Sequence, residues 1–107
     1  MAAFDTAITP VAVTPANTSN ATLFTAADDS SVLVDVAVIA ADTTAHVRVG
    51  ITPSGGSVHW MVWDMPIEDG NPIGSLGPYF LQSGDAVTVR TDTADDVTFS
   101  LTGVETS

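Results

Sequence analysis

Cysteine is absent from the sequence, and so is lysine. Without thiols the chain can form neither a disulfide nor a thiolate metal site, so its stability has to come from a packed core. Without lysine, its cations are Arg48 and Arg90, set against 13 acids for a formal net charge of −11. Such a surface repels phosphate backbones, which excludes nucleic acid as a partner. Long apolar runs are missing as well. The most apolar stretch, Val32 to Ala41, is interrupted by Asp35 and is far too short for a membrane span. The first residues, Met1-Ala2-Ala3-Phe4-Asp5, lack the basic start and apolar centre of a signal peptide, so synthesis in a cytoplasm is expected. No segment repeats its apolar residues with the 3.6-residue period of a helix. The acid excess itself fits three causes: solubility in high salt, a coding bias against lysine, or a basic partner.

What is present is alternation. Ala86-Val87-Thr88-Val89-Arg90 and Val97-Thr98-Phe99-Ser100-Leu101 each place apolar residues at every second position, the pattern of a strand with one buried face. The six residues between them, Thr91 to Asp96, read as the loop of an antiparallel hairpin, with Val87 and Val89 facing the same core as Val97, Phe99 and Leu101. Upstream, Ser31 to Ala41 sets Val32, Val34, Val36 and Val38 on one face and Leu33, Asp35, Ala37 and Ile39 on the other. Apolar residues on both faces suit a central strand or one covered by a neighbouring subunit. Thr44 to Thr52 points Ala45, Val47, Val49 and Ile51 inward and His46 and Arg48 outward. Ser57 to Asp64 has Val58, Trp60 and Val62 on one face and His59, Met61 and Trp63 on the other. Shorter strands are expected at 20–26 and, as a proline-limited edge strand, around Ile8–Thr14. Pro53-Ser54-Gly55-Gly56 is a turn, and Met65 to Pro78, rich in proline and glycine, an irregular loop.

About eight short strands at regular spacing predict an all-β protein: a single antiparallel β-sandwich, jelly-roll or immunoglobulin-like in strand order. The domain occupies 20–107, and 1–19 forms an N-terminal arm or edge strand. Candidate chemistry is sparse. His46 and His59 lie on different strands without metal-ligand spacing. Asp64, Glu68, Asp69 and Asn71 lack the spacing of a calcium loop. Ser54 and Ser57 have no nucleophile elbow or neighbouring base. The chain is therefore read as a non-enzyme with no catalytic residue, metal or cofactor. Trp60 is assigned to the core by its alternation with Val58 and Val62. Trp63, with Met61 and His59, is left for a subunit contact or a sugar platform. Ile8, Val11 and Val13 on the N-terminal segment complete the candidate interface.

One resemblance covers nearly the whole chain after residue 20. Ala21-Thr22-Leu23-Phe24-Thr25-Ala26, the Val-rich strand ending near Asp42, Ala45 to Ile51, Trp60-Met61-Val62-Trp63-Asp64, Leu81-x-x-Gly84-Asp85-x-Val87-x-Val89 and Asp96 to Glu105 together resemble small β-sandwich virion proteins of tailed phages. Ala41-Asp42 departs from that pattern, in which asparagine usually follows the Val-rich strand. The resemblance implies a structural role in the particle: a capsid decoration (cement) protein on the capsid exterior, or a tail- or fibre-associated protein. A chain that begins at Met1 and ends two residues past Glu105 leaves no room for a tail anchor, which favours decoration. The implied partners are the major capsid protein, or tail proteins, and further copies of the chain as a homotrimer. A carbohydrate-binding module is the competing reading.

Overall fold

The computed structural model describes residues 4–106. Nine strands follow in order: β1 (Phe4–Ala7), β2 (Val11–Val13), β3 (Ala21–Thr25), β4 (Val32–Ala40), β5 (Ala45–Thr52), β6 (His59–Ile67), β7 (Tyr79–Leu81), β8 (Ala86–Thr91) and β9 (Val97–Thr106). They form two antiparallel sheets. The five-stranded sheet runs β1-β9-β4-β7, with β2 on the same side of β9 as β1; the four-stranded sheet runs β3-β8-β5-β6. Among the described residues there is no helix, and the architecture is the expected all-β sandwich.

Between the sheets lies one core, and alternation explains its membership. Val32, Val34, Val36 and Val38 of β4 meet Val97, Phe99 and Leu101 of β9 within one layer. Ala45, Val47 and Val49 of β5 and Val87 and Val89 of β8 face them from the other. Each is almost completely buried, and a Val, Leu or Phe side chain so placed contributes roughly 1.5–3 kcal/mol relative to exposure. Among the described residues no buried side-chain nitrogen or oxygen lacks a hydrogen-bond partner.

β8 and β9 do not form the hairpin that the sequence suggests. β8 pairs with β3 and β5, whereas β9 pairs with β1, β2 and β4 in the opposite sheet. Alternation states which face a strand buries; it does not state which strand lies beside it. The loop between them spans the sandwich as an arch. Asp95 takes a left-handed conformation there (φ 60°), and Asp96 accepts hydrogen bonds from the N–H groups of Asp42 (2.8 Å) and Thr43 (3.1 Å). The β8–β9 arch is thereby tied to the β4–β5 arch. Burial would raise the pKa of Asp96, but those N–H donors and the Thr43 hydroxyl outweigh it and hold the carboxyl below its ordinary value.

The N-terminal segment forms edge strands. Pro10 separates β1 from β2, and Ile8 between them donates its N–H to Gly103 O at 3.0 Å. On the other side of β4, the segment 68–78 is anchored: Ile73 and Val38 exchange backbone hydrogen bonds (2.8 and 3.0 Å), and Leu76 N–H reaches Val36 O at 2.8 Å. Asp35 closes this loop by accepting from Ser75 Oγ (2.7 Å) and Gly77 N (3.1 Å). β6 also runs three residues beyond the expected Asp64, to Ile67. An edge strand tolerates Pro66, whose missing N–H interrupts no central ladder.

Candidate functional site

β5 and β8 are neighbours, and their register sets Arg48 directly opposite Arg90. Both point outward, because Val47, Val49 and Val89 beside them are buried. The two arginines of a chain with 13 acids thus share one spot on the outer face of the four-stranded sheet. Like charges opposite each other disfavour a sheet, so the surrounding groups have to offset the pairing.

Arg48 is compensated on every side. Its Nε donates to Asp64 Oδ1 at 2.7 Å and its Nη2 to Asp64 Oδ2 at 3.3 Å, a two-pronged ion pair. Its guanidinium also lies 3.6 Å from the Trp63 ring centroid and 5.9 Å from that of Trp60. Only 22% of the Arg48 side chain remains exposed. The Arg48 hydrogen bond holds the Asp64 carboxyl below its ordinary pKa. Asp64 reaches this position through a left-handed backbone (φ 48°), a conformation that aspartate tolerates better than most residues.

The two tryptophans depart from the alternation reading. The β5–β6 register shifts between Val47 and Val49 and again between Val49 and Gly50, so β6 changes phase. Trp60 pairs with Gly50, an outward position of β5, and its ring covers the space that a side chain at Gly50 would fill. It is therefore half-buried on the outer face and outside the core. Its ring meets Trp63 edge-on, with centroids 6.3 Å apart. A bulge adds one residue to a strand and reverses every face assignment beyond it.

Thr18, His46, Arg48, Asp64, Arg90, Thr91 and Asp92 line a pocket of about 260 Å³. His46 Nδ1 lies 3.0 Å from Asp92 Oδ2, and Asp92 Oδ1 accepts from the His46 N–H at 2.8 Å. Burial tends to raise the Asp92 pKa, yet the two His46 contacts and the Thr93 hydroxyl carry it below the ordinary value. Arg90 Nε donates to Thr18 O at 3.0 Å, which fixes the β2–β3 loop at the pocket rim.

Of the expected interface residues, Met61 and Trp63 are strongly exposed (61% and 60%), and Trp63 stands beside this pocket over Arg48. His59 is exposed at the start of β6, paired with Ile51. Ile8, Val11 and Val13 are half-buried against the chain's own core, with β2 beside β3 at the opposite edge of the four-stranded sheet from β6. The structure does not bring the two groups together. Glu68 turns to Asn71 (3.0 Å), while Asp64 is held by Arg48, so the four candidate calcium ligands do not converge. Among the described residues no three histidines or carboxylates cluster as a metal site would require.

No protein-family model and no curated protein sequence matches the chain. Among solved structures, it superposes on a chain from the acidic stable capsid structure of Helicobacter pylori bacteriophage KHP30 with a TM-score of 0.58 at 11% identity. The match covers 100% of this chain and 92% of that one. A chain from the structure of infectious bursal disease virus, Gt strain, gives a TM-score of 0.47 at 10% identity, over 92% of this chain and 30% of that one. The fold is thus shared, nearly end to end, with a chain of a phage capsid structure.

Proposed function

We propose that the chain is a structural protein of a tailed-phage particle. In this reading it is a capsid decoration (cement) protein that sits on the capsid exterior as a homotrimer and contacts the major capsid protein. The observation that carries the virion role is the full-length likeness to a chain of a phage capsid structure. The more specific role of decoration draws on the surface. Met61 and Trp63 together expose a large apolar area on an edge strand, where tryptophan and methionine are characteristic of protein contacts and an open strand edge invites pairing. Closed cyclic assembly covers such a face without new sequence, and a capsid offers threefold and quasi-threefold positions to match it.

Purified particles analysed by quantitative mass spectrometry test this reading. A stoichiometry matching the capsid lattice supports decoration, and one matching a tail ring assigns the chain to the tail. Absence from particles overturns the virion role; retention on a glycan array in that case would make Trp63 a sugar platform.

A further inference from the structure

Arg90 differs from Arg48 in what it lacks. Among the described residues, its side chain forms one hydrogen bond, from Nε to Thr18 O. Among the described residues no carboxylate is hydrogen-bonded to its guanidinium, although Arg90 lines a pocket large enough for a side chain and its charge acts on nearby Asp64. Arg48, directly opposite, shows what completes such a group here: a two-pronged carboxylate. Asp64 and Asp92 balance the two arginines, so the pocket lining is formally neutral with His46 uncharged. The other eleven acids belong to other segments. This pocket is where a chain of net charge −11 presents guanidinium groups, and the exposed Trp63 adjoins it.

We infer that Arg90 anchors a contact between copies of this chain, its open fork donating two hydrogen bonds to an Asp or Glu carboxylate of a second copy. Charge complementarity names the occupant. Two copies repel each other wherever acid meets acid, and repulsion turns to attraction only where an acid of one meets the arginines of the other. A carboxylate suits the site better than phosphate. Both can bond the fork in two places, but a carboxylate adds a single negative charge beside Asp64 and Asp92. Made head to tail, a contact of pocket against acid is of the type that closes into rings. This inference rests on the reading of the Trp63 face as a contact surface, and it does not require that the partner lattice be a capsid.

Sedimentation velocity of the full chain, with thermal unfolding as a control for folding, decides it. The wild type is expected to self-associate. Arg90→Gln should raise the dissociation constant about tenfold or more, since truncating one partner of an interfacial charge pair acts mainly on dissociation. Arg90→Glu should be monomeric and still fold, with a cooperative unfolding transition. Arg90→Lys, which keeps the charge and loses the fork, should fall between wild type and Arg90→Gln. A wild type that stays monomeric at the highest attainable concentration, or an Arg90→Glu protein that associates as the wild type does, would overturn the inference. A monomeric wild type that nevertheless coats particles would remove the second-copy contact and leave the virion role standing. An Arg90-dependent oligomer absent from particles would do the reverse.

Discussion

On the outer face of the five-stranded sheet, Leu33, Asp35, Ala37 and Ile39 of β4 stand opposite Val104, Thr102, Ser100 and Thr98 of β9, with Phe80 on the far side of Leu33. It is a face of small polar groups with exposed Leu33, Phe80 and Ile39 among them, and without an arginine. On the outer face of the four-stranded sheet stand Arg48, Asp64 and both tryptophans, joined by an ion pair and ring contacts, with His46 paired to Asp92 and Arg90 directly opposite Arg48. The inner faces of the two sheets are chemically alike, valine against valine with Phe99 and Leu101 between them. The inner faces supply the core. The contrast between the outer faces therefore separates what holds the sandwich together from what it presents to a partner.

The largest expected effect lies on the shared inner side. Phe99→Ala should destabilise the protein by about 3–5 kcal/mol, the range for emptying a filled aromatic site. Ser100→Ala, one residue along and on the outer side, should cost less than about 1 kcal/mol. Comparable losses in urea melts would mean that inside and outside have been assigned wrongly on β9.

A smaller effect is expected where the four-stranded sheet's outer face depends on a missing side chain. A Cβ at Gly50 would approach His59 O to 2.6 Å and the Trp60 ring to 3.0 Å. Gly50→Ala should cost about 1–3 kcal/mol, as overpacking does, and should shift tryptophan fluorescence because Trp60 has to move. Unchanged stability and emission would remove Trp60 from that face.

Acid should weaken one side more than the other. Asp64, Asp92 and Asp96 all have carboxyl pKa values lowered in the folded chain, below the ordinary 3.8. A lowered carboxyl pKa means that the unfolded chain binds protons first. Its stabilisation is then present above that ordinary value and is lost as pH falls through it towards the folded value. Asp96→Asn should flatten the acid limb of a stability–pH curve. An acid limb unchanged by Asp96→Asn would contradict the arch-tying role of that carboxylate.

The smallest effect concerns the charge as a whole. With few bases to compensate its acids, the chain should melt somewhat higher as salt is raised from low concentration, through screening over about 10 Å at 0.1 M. A melting temperature independent of salt would show that the acids are too dispersed to repel.

Legibility in the sequence followed the same division between inside and outside. The buried faces of β4, β5, β8 and β9 could be read from alternation because the core imposes a strict period of two on Val32–Val38, Val47–Val49, Val87–Val89 and Val97–Leu101. Partners could not be read. The β8–β9 loop suits a hairpin and an arch equally well, and only the three-dimensional pairing of β9 with β4 decides between them. The site escaped for two further reasons. Bulges opposite Val47–Gly50 shift the phase of β6, which carried Trp60 from its expected core position to the outer face. Arg48 and Arg90, 42 positions apart in the chain, become neighbours only through the β5–β8 register. One signal was available: each arginine occupies the outward position beside a valine of an otherwise buried strand, in Val47-Arg48-Val49 and in Val89-Arg90-Thr91.

Cryo-electron microscopy of particles assembled with this protein bears most directly on the central claim, that the arginine–tryptophan face of the four-stranded sheet is the contact surface of a virion structural protein. The account predicts density for the sandwich on the capsid exterior, with Trp63 and Arg90 buried against a neighbouring subunit and the Leu33–Phe80 side turned to solvent. Particles without that density, or with the Trp63 face open to solvent and the five-stranded sheet docked instead, would contradict it.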